Sequence, residues 1–209
     1  MEFNLVQILT IAEYSIYITL FSSSILALAV GIEKAIVFSQ VTKFTKKIVP
    51  KMKEFLSSGD IDAIEEFEKN YPQNIYGKFC SFIKLHYSKG ELVLLNLANG
   101  KINEERIFLE KRLIVLASLG SNAPFIGLLG TVFGIIKAFY ALGVDAGSEM
   151  VMHAIAFALI TTAIGLIIAI PSVMCNNYFN RRLKVMTQTM EQIIDNTLAS
   201  YHIKKGEEQ

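Results

Sequence analysis

The sequence has few of the residues from which catalytic, metal and redox sites are built. It holds 2 cysteines and 3 histidines in 209 residues. Cys80 and Cys175 lack metal or redox spacing and are interpreted as two free thiols in apolar surroundings. The sequence also contains no phosphate-binding glycine loop, nucleophile elbow or paired-carboxylate site. We therefore expect no enzyme activity, cofactor or metal. Interleaved acidic and basic residues argue against nucleic acid as a partner.

Positive charge is missing from two long stretches of the chain. Neither residues 1–33 nor residues 138–180 contain a lysine or an arginine. Basic residues crowd just after the first apolar run, just before the second and just after the third. Lysine and arginine residues close to the ends of membrane spans stay in the cytoplasm. We therefore expect a cytoplasmic loop after the first span, a cytoplasmic C-terminus and an N-terminus on the opposite side of the membrane. The lack of a basic segment before the first run argues against a cleavable signal peptide.

Three apolar runs, at about 14–32, 113–136 and 150–175, are long enough to cross a membrane. The chain is 52% hydrophobic, and a bilayer core needs about 20 apolar residues per helix. We predict an all-α membrane protein with three transmembrane helices and long cytoplasmic helical extensions. The predicted order is the N-terminus with the first span (1–40), a cytoplasmic helical loop (41–110), the second span (111–142), an external turn (143–149), the third span (150–180) and a cytoplasmic C-terminal helix and tail (181–209).

Helical spacing also predicts how the cytoplasmic segments are built. The predicted helices continue the first span to about Lys47, then cover 61–70, 75–89 and 91–98, run from about 103 to 142, and continue the third span to about Ser200. The helix over 91–98 should end at Asn99 and Gly100, because this pair favours a turn. The helix that enters the second span should have no break.

The second and third spans carry small residues at spacings of three and four. Such residues mark packing faces in lipid, because little hydrophobic force acts there between helices. Gly130 and Gly134 have the GxxxG spacing of closely packed membrane helices. The predicted packing residues are Gly127, Gly130, Gly134, Ala158 and Gly165. Pro124 and Pro171 are expected to bend the two spans.

Polar residues within these spans allow more than one interpretation. Thr131, Thr161 and Thr162 could each bond back to a carbonyl one turn earlier, which is common in membrane helices. Alternatively, they line a polar path near the middle of the membrane. Lys137 is the only cation within a span. Snorkelling toward the outer headgroups explains it, and so does an ion pair with a carboxylate of a partner protein.

The segments APFIGLLGTVFGIIKAF (123–139) and IAFALITTAIGLIIAIPSVMCNNYF (155–179) resemble the ExbB/TolQ family of ion-driven motor subunits, relatives of the flagellar stator protein MotA. The resemblance implies a homopentamer in the bacterial inner membrane, arranged around a dimer of a single-span ExbD/TolR-type partner. It also implies a proton channel in which an aspartate of the partner carries the ion. The work passes to a TonB- or TolA-type protein. In this resemblance, Thr131 and Thr162 match the family's pore-facing threonines.

One position departs from the family pattern. The family's third-span motif reads Ile-Ala-Glu-Ala-Leu, and Phe157 stands at the place of the glutamate. No acidic residue remains between Met150 and Tyr178. Three interpretations stay open: proton drive through the partner's aspartate alone, sodium drive, or a scaffold that does not conduct. Thr161 and Thr162 resemble the threonine pair of sodium-driven stators. We also expect an apolar pore that membrane lipid can fill, with the first span facing the bilayer.

Overall fold

The computed structural model describes residues 5–41, 68–72, 74–142 and 148–207. No β-strand occurs within these segments. The α-helices are α1 (Leu5–Val41), α2 (Ile75–His86), α3 (Glu91–Glu110), α4 (Leu113–Leu142) and α5 (Ser148–Glu207), and a 3-10 turn covers Tyr87–Lys89. The predicted continuation of the first helix to Lys47 and most of the predicted helix at 61–70 lie outside the described residues.

Three of these helices, α1, α4 and α5, contain stretches that are long and apolar enough to cross a membrane. The stretches are Gln7–Val41, Leu113–Ala141 and Val151–Ala199. Each is rich in aliphatic and aromatic residues that lie on its surface, as expected of helices that face lipid or further subunits. The prediction of an all-α protein with three transmembrane helices is therefore confirmed.

The chain divides into two compact units, and the first consists of residues 1–33 and 112–178. Within this membrane unit, α1 turns one apolar face toward α4 and α5. Ile16 and Leu20 on that face are buried with Ala123, Ile168 and Ala169 in one cluster. The opposite side of α1 is exposed; Phe21 on that side, for example, is 69% exposed. One stripe of α1 thus packs against the other helices of the unit, and the rest of its surface, which is rich in apolar side chains, is not covered by this chain.

The second unit consists of residues 34–111 and 179–209. Its core joins α2, α3 and the C-terminal part of α5 through buried apolar side chains, among them Phe79, Ile83, Leu94 and Met186. Lys34 is buried at 2% exposure, and its ammonium donates a hydrogen bond of 2.9 Å to the carbonyl of Leu109. This contact supplies a cationic donor to the last turn of α3, where helix carbonyls otherwise lack partners.

Two ionisable side chains of the second unit are shielded from water. Burial raises the pKa of Tyr76 above its usual value, and a hydrogen bond with Thr189 and the charge of Arg182 partly offset this effect. Burial also raises the pKa of the Cys80 thiol to about 12, and the neighbouring charge of Glu68 acts in the same direction. Cys80 is therefore a neutral, buried thiol at ordinary pH.

The helix predicted over 91–98 does not end where the sequence suggested. Asn99 and Gly100 lie inside α3, which continues to Glu110. Ala98 and Ile102 are almost fully buried, and they follow Leu94 at intervals of four residues on one face. Burying this continuous face outweighs the cost of about 1 kcal/mol for glycine inside a helix.

The uninterrupted helix predicted from 103 to 142 is also wrong. Lys111 is extended, with φ −47° and ψ 130°, and Arg112 adopts the left-handed conformation with φ 67°. The Arg112 guanidinium lies 2.5 Å from the carboxylate of Glu33. An arginine is an unusual residue for this conformation, so the break had no local signal. The break between α3 and α4 coincides with the ion pair between Arg112 and Glu33, which is distant in sequence.

The two intramembrane prolines do not interrupt their helices. α4 continues through Pro124 and α5 through Pro171. α5 also extends to Glu207, beyond the predicted end near Ser200. The bending expected at the prolines stays a prediction.

Candidate functional site

α4 and α5 approach each other closely along their small residues. A Cβ placed on Gly127 would lie 2.8 Å from the carbonyl oxygen of Thr161, and one on Gly165 would lie 2.6 Å from that of Ala123. A Cβ on Gly134 would lie 2.5 Å from the Cβ of Ala158. The predicted packing residues therefore meet across one seam within the chain. Whether they also form contacts between subunits stays a prediction.

Thr131 and Thr162 meet at this seam, where their hydroxyl groups are hydrogen-bonded to each other across α4 and α5. Thr131 also lies 3.0 Å from the carbonyl oxygen of Ala158 and 3.3 Å from that of Gly127. A hydroxyl has one proton to donate, so Thr162 donates to Thr131 when Thr131 donates to either carbonyl. Thr131 therefore has acceptors both in its own helix, at Gly127, and across the seam, at Ala158.

The hydroxyl of Thr161 bonds to a different helix from the hydroxyl of its neighbour Thr162. The Thr161 hydroxyl is almost fully buried and donates to the phenol oxygen of Tyr17 on α1 at 3.2 Å. The carbonyl of Phe157, one turn earlier, is a weaker acceptor at 3.4 Å. The two adjacent threonines therefore connect α5 to both of the other helices in the membrane unit, and their hydroxyls do not converge on one point.

The membrane unit also contains an ion pair between two residues far apart in the sequence. The ammonium of Lys137 lies 2.7 Å from a carboxylate oxygen of Glu13 on α1. The Glu13 side chain is 18% exposed and that of Lys137 is 34% exposed. Within this chain, Lys137 is therefore paired with a carboxylate of its own subunit, a partner that neither interpretation from the sequence included.

A cavity of about 280 Å³ brings the ion pair and the atypical phenylalanine together. Glu13 and Tyr17 line it from α1, Gly134 and Lys137 line it from α4, and Phe157 lines it from α5. Phe157 is 62% exposed, so most of its surface is not covered by this chain. Carboxylate, ammonium, phenol and hydroxyl groups in this unit can exchange hydrogen bonds and protons, but none forms a nucleophile–base pair.

Glu13 and Tyr17 were missed because their partners lie far away in sequence. Glu13 and Lys137 are 124 residues apart, and Tyr17 and Thr161 are 144 residues apart. The one available signal was their spacing of four residues, which places a carboxylate and a phenol on one face of α1.

The model of the MotA/TolQ/ExbB proton channel family matches residues 88–192, which include the seam of α4 and α5. The chain belongs to this family. It is 33% identical over 205 residues to the Tol-Pal system protein TolQ of Haemophilus influenzae, an alignment that covers 90% of this chain and 87% of that protein. The family recognised from the sequence segments is thereby confirmed.

Two further relatives of the family align over shorter lengths. The biopolymer transport protein ExbB of Aquifex aeolicus is 45% identical over 78 residues, which cover 36% of this chain and 53% of that protein. The ExbB protein of Neisseria gonorrhoeae is 33% identical over 132 residues, which cover 62% and 57% respectively. The three apolar helices and membership in this family of channel subunits indicate an inner-membrane protein, and the family is one of transport proteins and not of enzymes.

Proposed function

We propose that this chain is an ion-driven motor subunit of the ExbB/TolQ type. Five copies surround a dimer of a single-span ExbD/TolR-type partner, and protons cross where the pentamer and the partner meet. Their flow turns one part against the other, and the work passes to a TonB- or TolA-type protein. The N-terminus lies in the periplasm and the C-terminal helix in the cytoplasm. The clusters of basic residues at the span ends support this orientation.

The observation that carries the proposal is the hydroxyl pair of Thr131 and Thr162 at a glycine-lined seam. Helix packing in lipid needs small residues but does not require hydroxyls. The two linked hydroxyls offer a donor and an acceptor at the seam of the two helices that, in this proposal, face a partner helix. A carboxylate on such a helix could exchange a proton there.

The arrangement of the threonines supports proton drive over sodium drive. A dehydrated sodium ion needs several oxygen ligands around one point, as other hard cations do. Thr162 is directed to α4 and Thr161 to α1, so their hydroxyls serve two separate contacts. Proton transfer requires only one donor and one acceptor at a time.

A scaffold that does not conduct is the second candidate. Phe157 supports it, because α5 has no carboxylate between Met150 and Tyr178. In that case, the pentamer would hold the partner and perform no ion-driven work.

Proteoliposomes that contain the chain with its partner distinguish the two candidates. We expect an imposed pH gradient to drive proton flux, measured with an enclosed pH dye, in the absence of sodium. Thr162→Val should abolish the flux, and Thr162→Ser, which keeps the hydroxyl, should retain it. Wild-type complex that carries no flux above partner-free liposomes would favour the scaffold. Flux that requires sodium would contradict proton drive.

Assembly has its own test. Native mass spectrometry in mild detergent should show a pentamer of the wild-type chain. Gly130→Leu should disrupt it, because even a Cβ at this position would lie 2.5 Å from the Cγ2 of Thr161. Gly31→Leu is a matched control, since nothing lies within 4 Å of a Cβ there. A stable wild-type monomer or dimer would contradict the proposal.

A further inference from the structure

The ion pair of Glu13 and Lys137 has no role in the function proposed above. Charged side chains within membrane spans are costly, and they commonly mark ion or proton pathways. Here the charges come from α1 and α4, whereas α5 presents Phe157 to the same cavity. A carboxylate is therefore present beside the position at which the third span lacks one.

The carboxylate of Glu13 lies against the seam of α4 and α5. One of its oxygens is 3.6 Å from the position of a Cβ on Gly134. Gly134 packs against Ala158, which follows Phe157 directly, and Thr131 lies three residues before Gly134 on α4. The Glu13 carboxylate is thus about one helical turn along the seam from the hydroxyl pair.

Tyr17 and Thr161 are further polar residues near Glu13 and that pair. Tyr17 follows Glu13 by four residues on the same face of α1, and its phenol oxygen accepts the hydrogen bond from Thr161. Thr162 is the next residue and bonds to Thr131. The polar groups that face the cavity and the hydroxyl pair at the seam are therefore held by adjacent residues of α5, through separate hydrogen bonds.

We propose that Glu13 is the proton-binding carboxylate of this subunit and that Lys137 is its exchangeable counter-ion. The inference rests on the motor function proposed above. Glu13 accepts a proton from water on the outer side, which leaves a neutral carboxylic acid. The ammonium of Lys137 then pairs with the ionised acidic side chain of the single-span partner. Glu13 passes its proton to that side chain, and the new carboxylate pairs with Lys137 again.

Once the partner's ionised side chain is paired with Lys137, the net charge of the cavity is zero both before and after the proton transfer, which matters because an unpaired charge in this environment is costly. Of the groups that face Glu13, Lys137 on α4 and Tyr14 and Tyr17 on α1 can ionise. The wall formed by α5 consists of Ala154, Phe157 and Ala158, which cannot. Within the cavity, Glu13 is therefore the residue that can exchange a proton as a carboxylic acid.

The alternative is that the pair only holds α1 against α4. Proton flux of the complete complex in proteoliposomes separates the two roles. Glu13→Gln should reduce the flux roughly a hundredfold or more, as expected when a proton-transfer group is lost. The double variant Glu13→Gln/Lys137→Gln has no unpaired charge, and its flux should remain as low as that of Glu13→Gln. Recovery of flux in this neutral double variant would show a structural role and overturn the proposal.

A second variant moves the carboxylate within the cavity. Glu13→Gln/Phe157→Glu should recover much of the flux, because the new carboxylate lines the same cavity and can still pair with Lys137. Glu149→Gln is the matched control, since Glu149 is an exposed carboxylate in the first turn of α5 and should be replaceable without loss. Flux that persists in Glu13→Gln alone would also overturn the proposal.

Chemical labelling provides a readout that does not depend on flux. A hydrophobic carbodiimide modifies protonated carboxyl groups inside membranes, and mass spectrometry of peptides locates the adduct. In the complete complex, Glu13 should carry the adduct, and the same peptide of Glu13→Gln should not. Absence of labelling at Glu13 while the wild-type complex conducts would refute the inference. Labelling without any wild-type flux would refute the motor function and leave Glu13 as a proton-binding group.

Discussion

Gly127 provides a quantitative test of the seam between α4 and α5. In Gly127→Ala, the new Cβ would lie 2.8 Å from the carbonyl oxygen of Thr161 and 3.0 Å from the Cα of Thr162. Both atoms belong to the backbone and cannot rotate away. Ordinary contact begins at 3.4 Å, so the helices must separate by about 0.6 Å, the difference between 3.4 and 2.8 Å.

The expected free-energy change has two parts. Overpacking costs about 1–3 kcal/mol, whereas replacing glycine by alanine inside a helix gains about 1 kcal/mol. Gly31→Ala in α1 provides the control, because nothing lies within 4 Å of its added Cβ and only the gain remains. The difference between the two variants isolates the steric cost of about 1–3 kcal/mol.

Size-exclusion chromatography after heating in mild detergent measures this difference. For a chain of this size, each kcal/mol shifts the midpoint by about 2–4 °C. Gly127→Ala should therefore lose its monodisperse peak about 2–12 °C below Gly31→Ala. Equal midpoints for the two variants, or a higher one for Gly127→Ala, would mean that the helices do not approach as closely as described.

Three further predictions concern the rest of the described chain. In a Cys175→Ser background, Cys80 should resist a soluble maleimide at about pH 8 until the protein is denatured, because burial raises its pKa to about 12; fast labelling of the folded protein would contradict this. Since the folded-state pKa lies above the ordinary 9.0, the stability contributed by the neutral thiol is complete below about pH 9 and is lost as the pH rises through about 12. Lys34→Met should lower the thermal midpoint by the equivalent of about 1–3 kcal/mol, because the carbonyl of Leu109 loses a cationic donor. The control Lys89→Met, at an exposed position, should leave the midpoint unchanged. Equal effects of the two substitutions would argue against the contact. Arg112→Gly should be about 1 kcal/mol more stable than Arg112→Ala. Both variants lose the ion pair with Glu33, but alanine also bears the cost of the left-handed conformation. Equal thermal midpoints of the two variants would contradict the φ of 67°.

The sequence predicted those parts of the structure that depend on long apolar runs and on short-range spacing. The three membrane helices follow from runs of about 20 apolar residues. The close approach at Gly127 and Gly134 could be anticipated because few other arrangements account for small residues at intervals of three and four in lipid. The use of Thr131 and Thr162 as an ion path remains a prediction that rests on the family resemblance.

Features that depend on contacts between distant residues could not be read from the sequence. Local propensity suggested an end at Asn99 and Gly100, but the burial of one face of α3 decides its length. Local pattern gave no sign of the break at Arg112, whose conformation accompanies an ion pair to another helix. Glu13 looked like a residue before the first span, and only the folded structure places it beside Lys137.

The buried Lys34 has a consequence for the order in which the protein is made. The hydrogen-bond acceptor of its ammonium, the Leu109 carbonyl, is synthesised 75 residues later. At ribosomal rates of about 5–20 residues per second, this delay lasts about 4–15 s. During this interval, the nascent chain has to keep the charge of residue 34 in water. The first helix is thereby prevented from sliding further into the bilayer until α3 has emerged, and the same lysine acts first as a stop for insertion and later as part of the folded core.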